Sequence, residues 1–296
     1  MNNFRSGAVA LVGRPNVGKS TLLNTLLKQK LSIVTPRPQT TRHRVLGLGN
    51  YPGGQIAFVD TPGLHLGQKR ALNRAMNRTA ASALADADLV ALVVESIRWT
   101  DEDQMVLERI RASGLPAVLV INKVDLAKPR ERLLPHIAEL SAKFAFREVV
   151  PVSALKGDNL EPLVAALLRH LPEGQAMYPA DMVTDKSENF RIAEIVREKL
   201  TLELVEELPY GIAVEIESNK PMEDGRTEVH AVIYVDRAGQ KPIVIGAGGE
   251  RLKRIGRAAR NEMNKLFGKR YHLNLWVKVR EDWADDARAL AQLGLE

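Results

Sequence analysis

The 296-residue sequence has no cysteine, which excludes disulfide bonds and thiolate metal sites and agrees with a reducing compartment. Its six histidines have no paired spacing of the kind that metal sites use. No apolar run approaches the ~18 residues of a membrane span, so we expect neither a signal peptide nor a transmembrane helix. With 45% hydrophobic residues, the chain is long enough for two domains with buried cores. These features are typical of a cytoplasmic protein.

The formal net charge of +6 is unevenly distributed along the chain. Residues 1–50 carry eight Lys or Arg and no acidic residue, whereas residues 201–250 carry ten acidic residues against four basic ones. Residues 251–280 then carry ten basic residues against one acid. A basic block of this kind indicates a local face for polyanions.

One stretch near the N-terminus has the spacing GxxxxGK[ST] between an apolar run and a segment with helical character. In this arrangement backbone N–H groups wrap the phosphates of a nucleotide, a lysine reaches the outer phosphates and a hydroxyl ligates Mg²⁺. Lys19 is therefore also a predicted catalytic residue, and Ser20 is a predicted magnesium ligand. The predicted nucleotide-binding residues of this phosphate loop are Gly13, Asn16, Val17, Gly18, Lys19, Ser20 and Thr21.

Short apolar runs alternate with helical segments as far as residue 170. The predicted strands are 8–12, 45–49, 55–59, 89–94, 117–121 and 149–152, and the predicted later helices are 69–84, 101–112, 129–142 and 158–170. The second and third strands form a hairpin by their turn residues. This alternation predicts an α/β domain with a mostly parallel sheet covered on both faces, whose active site lies at the carboxyl ends of the strands.

Polar motifs follow three of these strands. The Asp125 carboxylate is suited to accept hydrogen bonds from N1–H and the N2 amino group of guanine, a donor pair that adenine lacks. The motif formed by residues 122–125 therefore predicts that the nucleotide is GTP. We expect Asn122 to brace this loop, the stem of Lys123 to cover the base, and the Ala154 N–H to meet the guanine oxygen. The predicted nucleotide contacts in the three motifs are Asp60, Thr61, Pro62, Gly63, Asn122, Lys123, Asp125, Ser153 and Ala154.

The same motifs predict how Mg²⁺ and the γ-phosphate are held. Asp60 is expected to hold the metal through a water, and the Gly63 N–H to contact the γ-phosphate, so both are predicted catalytic residues. A threonine from the polar loop before the hairpin completes the magnesium shell. Thr40 and Thr41 are both candidates, and Thr41 is favoured as metal ligand and catalytic residue.

Leu64 occupies the position where a water-orienting glutamine would follow Gly63, and a leucine side chain cannot orient a nucleophile. We therefore expect slow intrinsic hydrolysis that a partner or a monovalent cation stimulates. Asn16 resembles the residue that helps to hold potassium in related GTPases with an apolar residue at this position. K⁺ is thus a further candidate cofactor.

The second half of the chain predicts a helix, two strands, a glycine loop, a helix and a final strand. Its glycine loop and following helix resemble the GxxG element of a KH module, which clamps about four nucleotides of single-stranded nucleic acid. Arg260 lies on the same predicted helix face as Lys253 and Arg257, where cations can meet phosphates. The predicted RNA-binding residues are Gly246, Ala247, Gly248, Gly249, Lys253, Arg254 and Arg257.

These elements together resemble the Era-like family of P-loop GTPases with a C-terminal KH domain. The resemblance rests on the phosphate loop with Asn16, residues 39–44, Asp60 to His65, Asn122 to Asp125, Ser153-Ala154 and the KH-like unit. It implies a GTP-hydrolysing switch that binds the 3′ end of 16S ribosomal RNA, assists assembly of the 30S subunit and associates peripherally with the inner membrane. The chain departs from the family at Ala247-Gly248, where a polar and a basic residue are common.

The predicted boundaries are a P-loop GTPase domain at 1–172, a linker at 173–187, a type II KH domain at 188–281 and a C-terminal helical tail at 282–296. A monomer is expected. Three alternatives stay open at this point: a P-loop ATPase or kinase, an RNA-binding module whose nucleotide domain is a static scaffold, and a second domain that docks a protein or a different RNA. ATP competing as well as GDP would favour the first alternative, and RNA affinity indifferent to the bound nucleotide would favour the second.

Overall fold

The computed structural model describes residues 4–63, 70–204 and 208–295, and these form two compact units. Within those ranges, the first unit comprises residues up to 32, 41–63 and 73–185. The second comprises the residues from 186 onward together with two short segments, 33–40 and 70–72. Among the described helices, none combines the length and the apolar character needed to cross a membrane.

A six-stranded sheet forms the centre of the first unit. Its strands are β1 (Arg5–Val12), β2 (Val45–Tyr51), β3 (Gly54–Asp60), β4 (Leu89–Glu95), β5 (Ala117–Asn122) and β6 (Val149–Pro151). Their spatial order is β2-β3-β1-β4-β5-β6, and every neighbouring pair is parallel except the β2–β3 hairpin. The predicted α/β fold with a mostly parallel sheet is confirmed.

In the described part of the first unit, the α-helices that accompany this sheet are α1 (Lys19–Leu26), α2 (Ala71–Ala85), α3 (Asp101–Ser113), α4 (Leu133–Ser141) and α5 (Leu160–His170). Successive residues of β1, β4 and β5 are buried whichever face of the sheet they point to. Strands covered on both faces carry continuous apolar runs, because no position in them meets water. The long runs in the sequence are thus the signature of the central strands.

Local signals in the sequence place α3 closely. Thr100 caps its N-terminus by accepting a hydrogen bond from the Asp103 N–H, and the Asp103 carboxylate accepts one from the Thr100 N–H. This reciprocal capping box satisfies two backbone donors that the helix leaves open. Gly114, in the left-handed conformation, ends the helix.

One predicted helix is shorter than the sequence pattern indicates. Residues 129–142 were expected to form a single helix, but a 3-10 turn at Arg130–Arg132 precedes α4. Pro135 is the third residue of α4, where its missing N–H has no intrahelical partner to lose. The helix therefore begins two residues before this proline and does not extend back to residue 129.

The second unit is a three-stranded sheet with helices. Its elements are α6 (Glu188–Glu203), β7 (Ile212–Pro221), β8 (Thr227–Val235), α7 (Gln240–Ile245), α8 (Glu250–Phe267), β9 (Tyr271–Val279) and α9 (Ala287–Gln292). The sheet order is β7-β8-β9, with β7 antiparallel and β9 parallel to β8. Ile255, Ala259 and Met263 form the fully buried stripe of α8, which joins the core of this unit.

Two features of the second unit go beyond the predicted order of elements. Residues 240–245 form helix α7, which the sequence analysis did not assign. The C-terminal tail has one short helix, α9, and is anchored before it by Trp283, which is fully buried and donates its indole N–H to the Gly211 carbonyl at 3.1 Å. Helix α6 ends at Glu203, and residues 205–207 lie outside the described residues.

Candidate functional site

The phosphate loop joins β1 to α1 in a conformation held by its own side chains. Lys19 Nζ donates hydrogen bonds to the carbonyls of Gly13 at 2.9 Å and Arg14 at 3.0 Å. Gly18 has φ +100°, and a Cβ there would lie 2.3 Å from the Asn122 side-chain nitrogen. Only glycine combines this backbone conformation with so close a neighbour. The loop is therefore preformed around the Lys19 side chain.

Lys19 is a buried cation in this loop, with 6% of its surface exposed. Desolvation by burial lowers the pKa of Lys19 to about 8, although the nearby Asp60 carboxylate opposes the shift. Burial also raises the pKa of Asp60 above its usual range, against the attraction of Lys19. Both groups are thus held in a poorly solvated environment, where an anionic ligand would interact strongly with the lysine.

Three oxygen-bearing side chains converge beside Lys19. The Ser20 hydroxyl donates to Asp60 Oδ2 at 2.8 Å and lies 2.8 Å from the Thr41 hydroxyl. Asp60 Oδ1 is buried and has no hydrogen-bond partner among the residues that the structure describes. Thr40 is turned elsewhere, since its hydroxyl contacts the Thr35 hydroxyl at 2.6 Å and donates to the Arg37 carbonyl at 2.8 Å. The geometry favours Thr41 over Thr40 as the partner of Ser20.

The segment after β3 lies directly against the phosphate loop. Thr61 donates its hydroxyl proton to the Leu11 carbonyl at 2.9 Å, which ties the segment to β1. A Cβ at Gly63 would lie 2.8 Å from the backbone nitrogen of Pro15, so no larger residue fits without moving the loop. Leu64, which carried the expectation of slow hydrolysis, and His65, which was part of the family resemblance, lie outside the described residues.

The predicted base-recognition residues meet at the ends of β5 and β6. Asn122 donates its side-chain amide to the Val17 carbonyl at 2.8 Å and so joins this loop to the phosphate loop. Ser153 donates its hydroxyl to Asp125 Oδ1 at 2.6 Å and orients the carboxylate. The Ala154 N–H, which is predicted to meet the guanine oxygen, donates to Asn122 Oδ1 at 2.9 Å in this structure.

A separate cleft of about 430 Å³ lies in the second unit between α8 and β9. It is lined by Gly249, Leu252, Lys253, Gly256, Arg257, Arg260, Leu273, Asn274 and Leu275. Arg257 and Arg260 are exposed and form no salt bridge with any described residue. Arg254, predicted as an RNA contact, does not line the cleft and instead pairs with Glu203 at 3.1 Å. Free cations beside partly exposed apolar side chains suit a nucleotide chain, with phosphates on the arginines and bases on the apolar surface.

Comparison with known proteins matches both units. The family model described as 50S ribosome-binding GTPase matches residues 8–123, and that described as KH domain matches residues 207–284. A GTPase Era from Marinobacter nauticus is 54% identical over 292 residues, which cover 98% of this chain and 95% of the relative. A GTPase Era from Glaesserella parasuis serovar 5 is 52% identical over 288 residues, which cover 97% and 96%.

The chain belongs to the Era family of GTPases. Two solved Era structures align with it at a TM-score of 0.96 and 42% identity over 99% of each chain. One is an Aquifex aeolicus Era variant bound to GDP and aluminium fluoride, and the other is Era in complex with MgGDPNP and nucleotides 1506–1542 of 16S ribosomal RNA. The protein is thus a GTPase that uses GTP and GDP with Mg²⁺, and the alternative of a P-loop ATPase or kinase is wrong.

In this member of the Era family, two groups of residues at the candidate sites were not predicted from the sequence. Leu273, Asn274 and Leu275 line the cleft from β9, which only the pairing of strands could reveal. Glu95 ends β4 and contacts both nucleotide loops. A signal for Glu95 was present, because every other polar motif of the first unit also follows a parallel strand.

Proposed function

We propose that this chain is a GTP-driven switch that binds the 3′ end of small-subunit ribosomal RNA through its KH domain and assists maturation of the 30S subunit. The observation that carries the proposal is the α8–β9 cleft with Arg257 and Arg260, which form no ion pair with any acidic residue in the described part of the chain. Support comes from the solved Era complex with 16S ribosomal RNA, which aligns with this chain over nearly its full length. In this proposal, residues 1–172 form the domain that binds and hydrolyses GTP, and residues 188–281 form the domain that binds RNA. Residues 173–187 link the two domains, and residues 282–296 form the C-terminal tail.

In the proposed GTP site, backbone N–H groups of the phosphate loop and Lys19 hold the phosphates, and Asp125 reads the guanine edge. The residues near Lys19 fit Mg²⁺, a hard cation that prefers oxygen ligands, because the oxygens of Ser20, Thr41 and Asp60 converge and Asp60 Oδ1 is a buried acceptor without a partner among the described residues. When bound, Mg²⁺ neutralises charge on the phosphate oxygens. Lys19 supplies a second positive charge from a desolvated position.

The segment 33–40 gives the proposed switch its structural basis. It clusters with the second unit, where Arg197 donates to the Thr40 carbonyl at 2.6 Å and Glu198 accepts from the Val34 N–H at 2.9 Å. Thr41, the next residue, has its hydroxyl beside Ser20. We propose that GTP, by engaging Thr41, changes the position of residues 33–40 and thereby the access of RNA to the KH domain.

Binding of a short single-stranded RNA with the sequence of the 3′ end of 16S ribosomal RNA tests the proposal. We expect tight binding that the GTP-analogue form favours over the GDP form. The double variant R257S/R260S should lose about tenfold or more in affinity, with a shallower dependence on salt, because two phosphate contacts are removed. R288S, which changes an exposed arginine on α9, is the matched control.

Two outcomes would count against this assignment. If R254S weakens binding as much as R257S/R260S does, RNA lies on the exposed helix surface and not in the cleft. If affinity is weak and alike for any RNA and either nucleotide, the second domain has a different partner, such as a protein.

Hydrolysis in the proposed cycle is intrinsically slow and faster in K⁺ than in Na⁺. Asn16, which the family resemblance assigns to potassium, lies in the phosphate loop with a left-handed backbone of φ 63°. GTP turnover measured in KCl and in NaCl at equal ionic strength tests this, and N16A should remove the difference. Equal turnover of the unaltered protein in the two salts would contradict it. Peripheral membrane association stays a prediction of the family resemblance, and a monomeric state stays a separate prediction.

A further inference from the structure

Glu95 lies between the phosphate loop after β1 and the loop after β5 that is predicted to contact the base, so its carboxylate can contact both. It is the last residue of β4, which sits in the sheet between β1, the strand leading to the phosphate loop, and β5, the strand leading to the base loop. Its Oε2 accepts a hydrogen bond from Arg14 Nη2 at 2.6 Å, and its Oε1 accepts one from Lys123 Nζ at 3.2 Å. One carboxylate therefore bridges the loop that holds phosphates and the loop that reads the base.

Arg14, the phosphate-loop partner, is anchored on both sides. Besides Glu95, its Nε donates to Asp103 Oδ2 at 3.0 Å. Asp103 is fully buried, and its position is set by Thr100, whose N–H and hydroxyl donate to the same carboxylate oxygen at 2.9 and 2.8 Å. The guanidinium consequently has two fixed acceptors and little freedom to turn toward a bound phosphate.

The base-loop partner is also held twice from the end of β4. Ser96, next to Glu95, donates its hydroxyl to the Lys123 carbonyl at 2.8 Å, while its N–H donates to the Asn122 carbonyl at 2.8 Å. Lys123 itself has a left-handed backbone with φ 63°. Without a partner for its ammonium, the lysine stem would have many rotamers, and fixing them costs conformational entropy.

The charges in this network favour its ionised form. Desolvation alone would raise the pKa of Glu95, but hydrogen bonds from Arg14 and Lys123 outweigh it and hold that pKa below its usual value. The pKa of Arg14 is raised, since bonds to Glu95 and Asp103 exceed the effect of its own desolvation.

We infer that Glu95 is a positioning residue for guanine nucleotides, which couples the phosphate loop to the base loop through its simultaneous bonds to Arg14 and Lys123. Asp103 holds Arg14 in the phosphate loop, Arg14 fixes Glu95, and Glu95 in turn fixes the lysine that is predicted to cover the base. A nucleotide that engages both loops gains affinity from this coupling. The inference rests on the GTP site proposed above and is independent of RNA binding.

The test uses two variants of the full-length protein that separate the charge of Glu95 from its reach. E95Q keeps the length of the side chain and removes the charge, whereas E95D keeps the charge and is too short to reach both partners. We expect each to weaken GDP binding about tenfold, the cost of one charged hydrogen bond. E108Q, in an exposed acid on α3, is the matched control and should bind GDP normally.

Changing the base of the nucleotide distinguishes the proposed coupling from a purely structural role of Glu95. We expect the ratio of GDP to IDP affinity to shrink in E95Q and E95D, because IDP lacks the N2 amino group and gains less from an ordered base loop. Coupling also predicts that R14M and K123M are non-additive in GDP affinity with Glu95 present and additive in the E95Q background.

Three results would overturn the inference: normal GDP affinity in both variants, an unchanged GDP to IDP ratio, or equal non-additivity in the two backgrounds. The affinities of the unaltered protein for GDP and ADP test the nucleotide site separately. If the protein does not prefer GDP over ADP, the proposed guanine-nucleotide site is wrong. If it prefers GDP but the Glu95 variants do not show the expected changes, only the coupling is wrong.

Discussion

Asp125→Asn should lower GTP affinity about 10²–10³-fold and create affinity for xanthosine triphosphate. The Asp125 carboxylate offers only acceptors, which match N1–H and the N2 amino group of guanine. An asparagine presents a donor to that amino group, which is repulsive, but the same donor matches the oxygen that xanthine carries at this position. Ser153 can still donate to the remaining oxygen, so the side chain keeps its orientation.

Competition of GTP, XTP and ATP against a fluorescent nucleotide measures this exchange of specificity. Asp158→Asn is a matched control, because it makes the same change at an exposed position of the neighbouring loop. GTP affinity retained in Asp125→Asn would mean that Asp125 does not read the base. Loss of binding to both GTP and XTP, with a lowered melting temperature, would mean that the carboxylate is needed for the fold of the loop.

Lys19→Met should reduce the rate of GTP hydrolysis about 10²–10³-fold, the usual cost of removing one preorganised charge from a desolvated site. The nucleotide-free protein should nevertheless melt within a few degrees of the unaltered protein. Burial lowers the pKa of Lys19 to about 8, which means that the fold disfavours the charged form. Methionine gives up two hydrogen bonds to carbonyls but removes that buried charge.

Single-turnover hydrolysis and thermal unfolding without nucleotide separate the two effects. Lys220→Met, at an exposed position of β7, controls for loss of a lysine elsewhere. Hydrolysis at the normal rate in Lys19→Met would remove Lys19 from the catalytic residues. A large fall in melting temperature would show that the lysine mainly supports the loop conformation.

Much of the nucleotide site could be predicted from the sequence because its chemistry is local. The phosphate loop, Asp60 to Gly63 and Asn122 to Asp125 are short segments, and each directly follows an apolar strand. Parallel strands bring their carboxyl ends to one edge of the sheet, so segments far apart in sequence meet there. Asp125 beside Ser153 and Ser20 beside Asp60 follow from this rule.

Side-chain competition could not be predicted in the same way. The Ala154 N–H was expected to be available to the base, but Asn122 takes it, and Arg254 pairs with Glu203 while Arg260 lines the cleft. The helical repeat predicts only approximately which face of α8 carries each of residues 253, 254, 257 and 260. Which of these cations is free depends on acidic residues of other elements.

Residue types at short spacing were enough to predict the class of the fold, the guanine preference and a basic helix after a glycine loop. Three features became visible in the folded chain alone: Thr41 and not Thr40 faces Ser20, Arg257 and Arg260 share a cleft with β9, and Glu95 bridges Arg14 and Lys123. These three depend on distances between atoms that are remote in sequence, which strand order and side-chain packing set together.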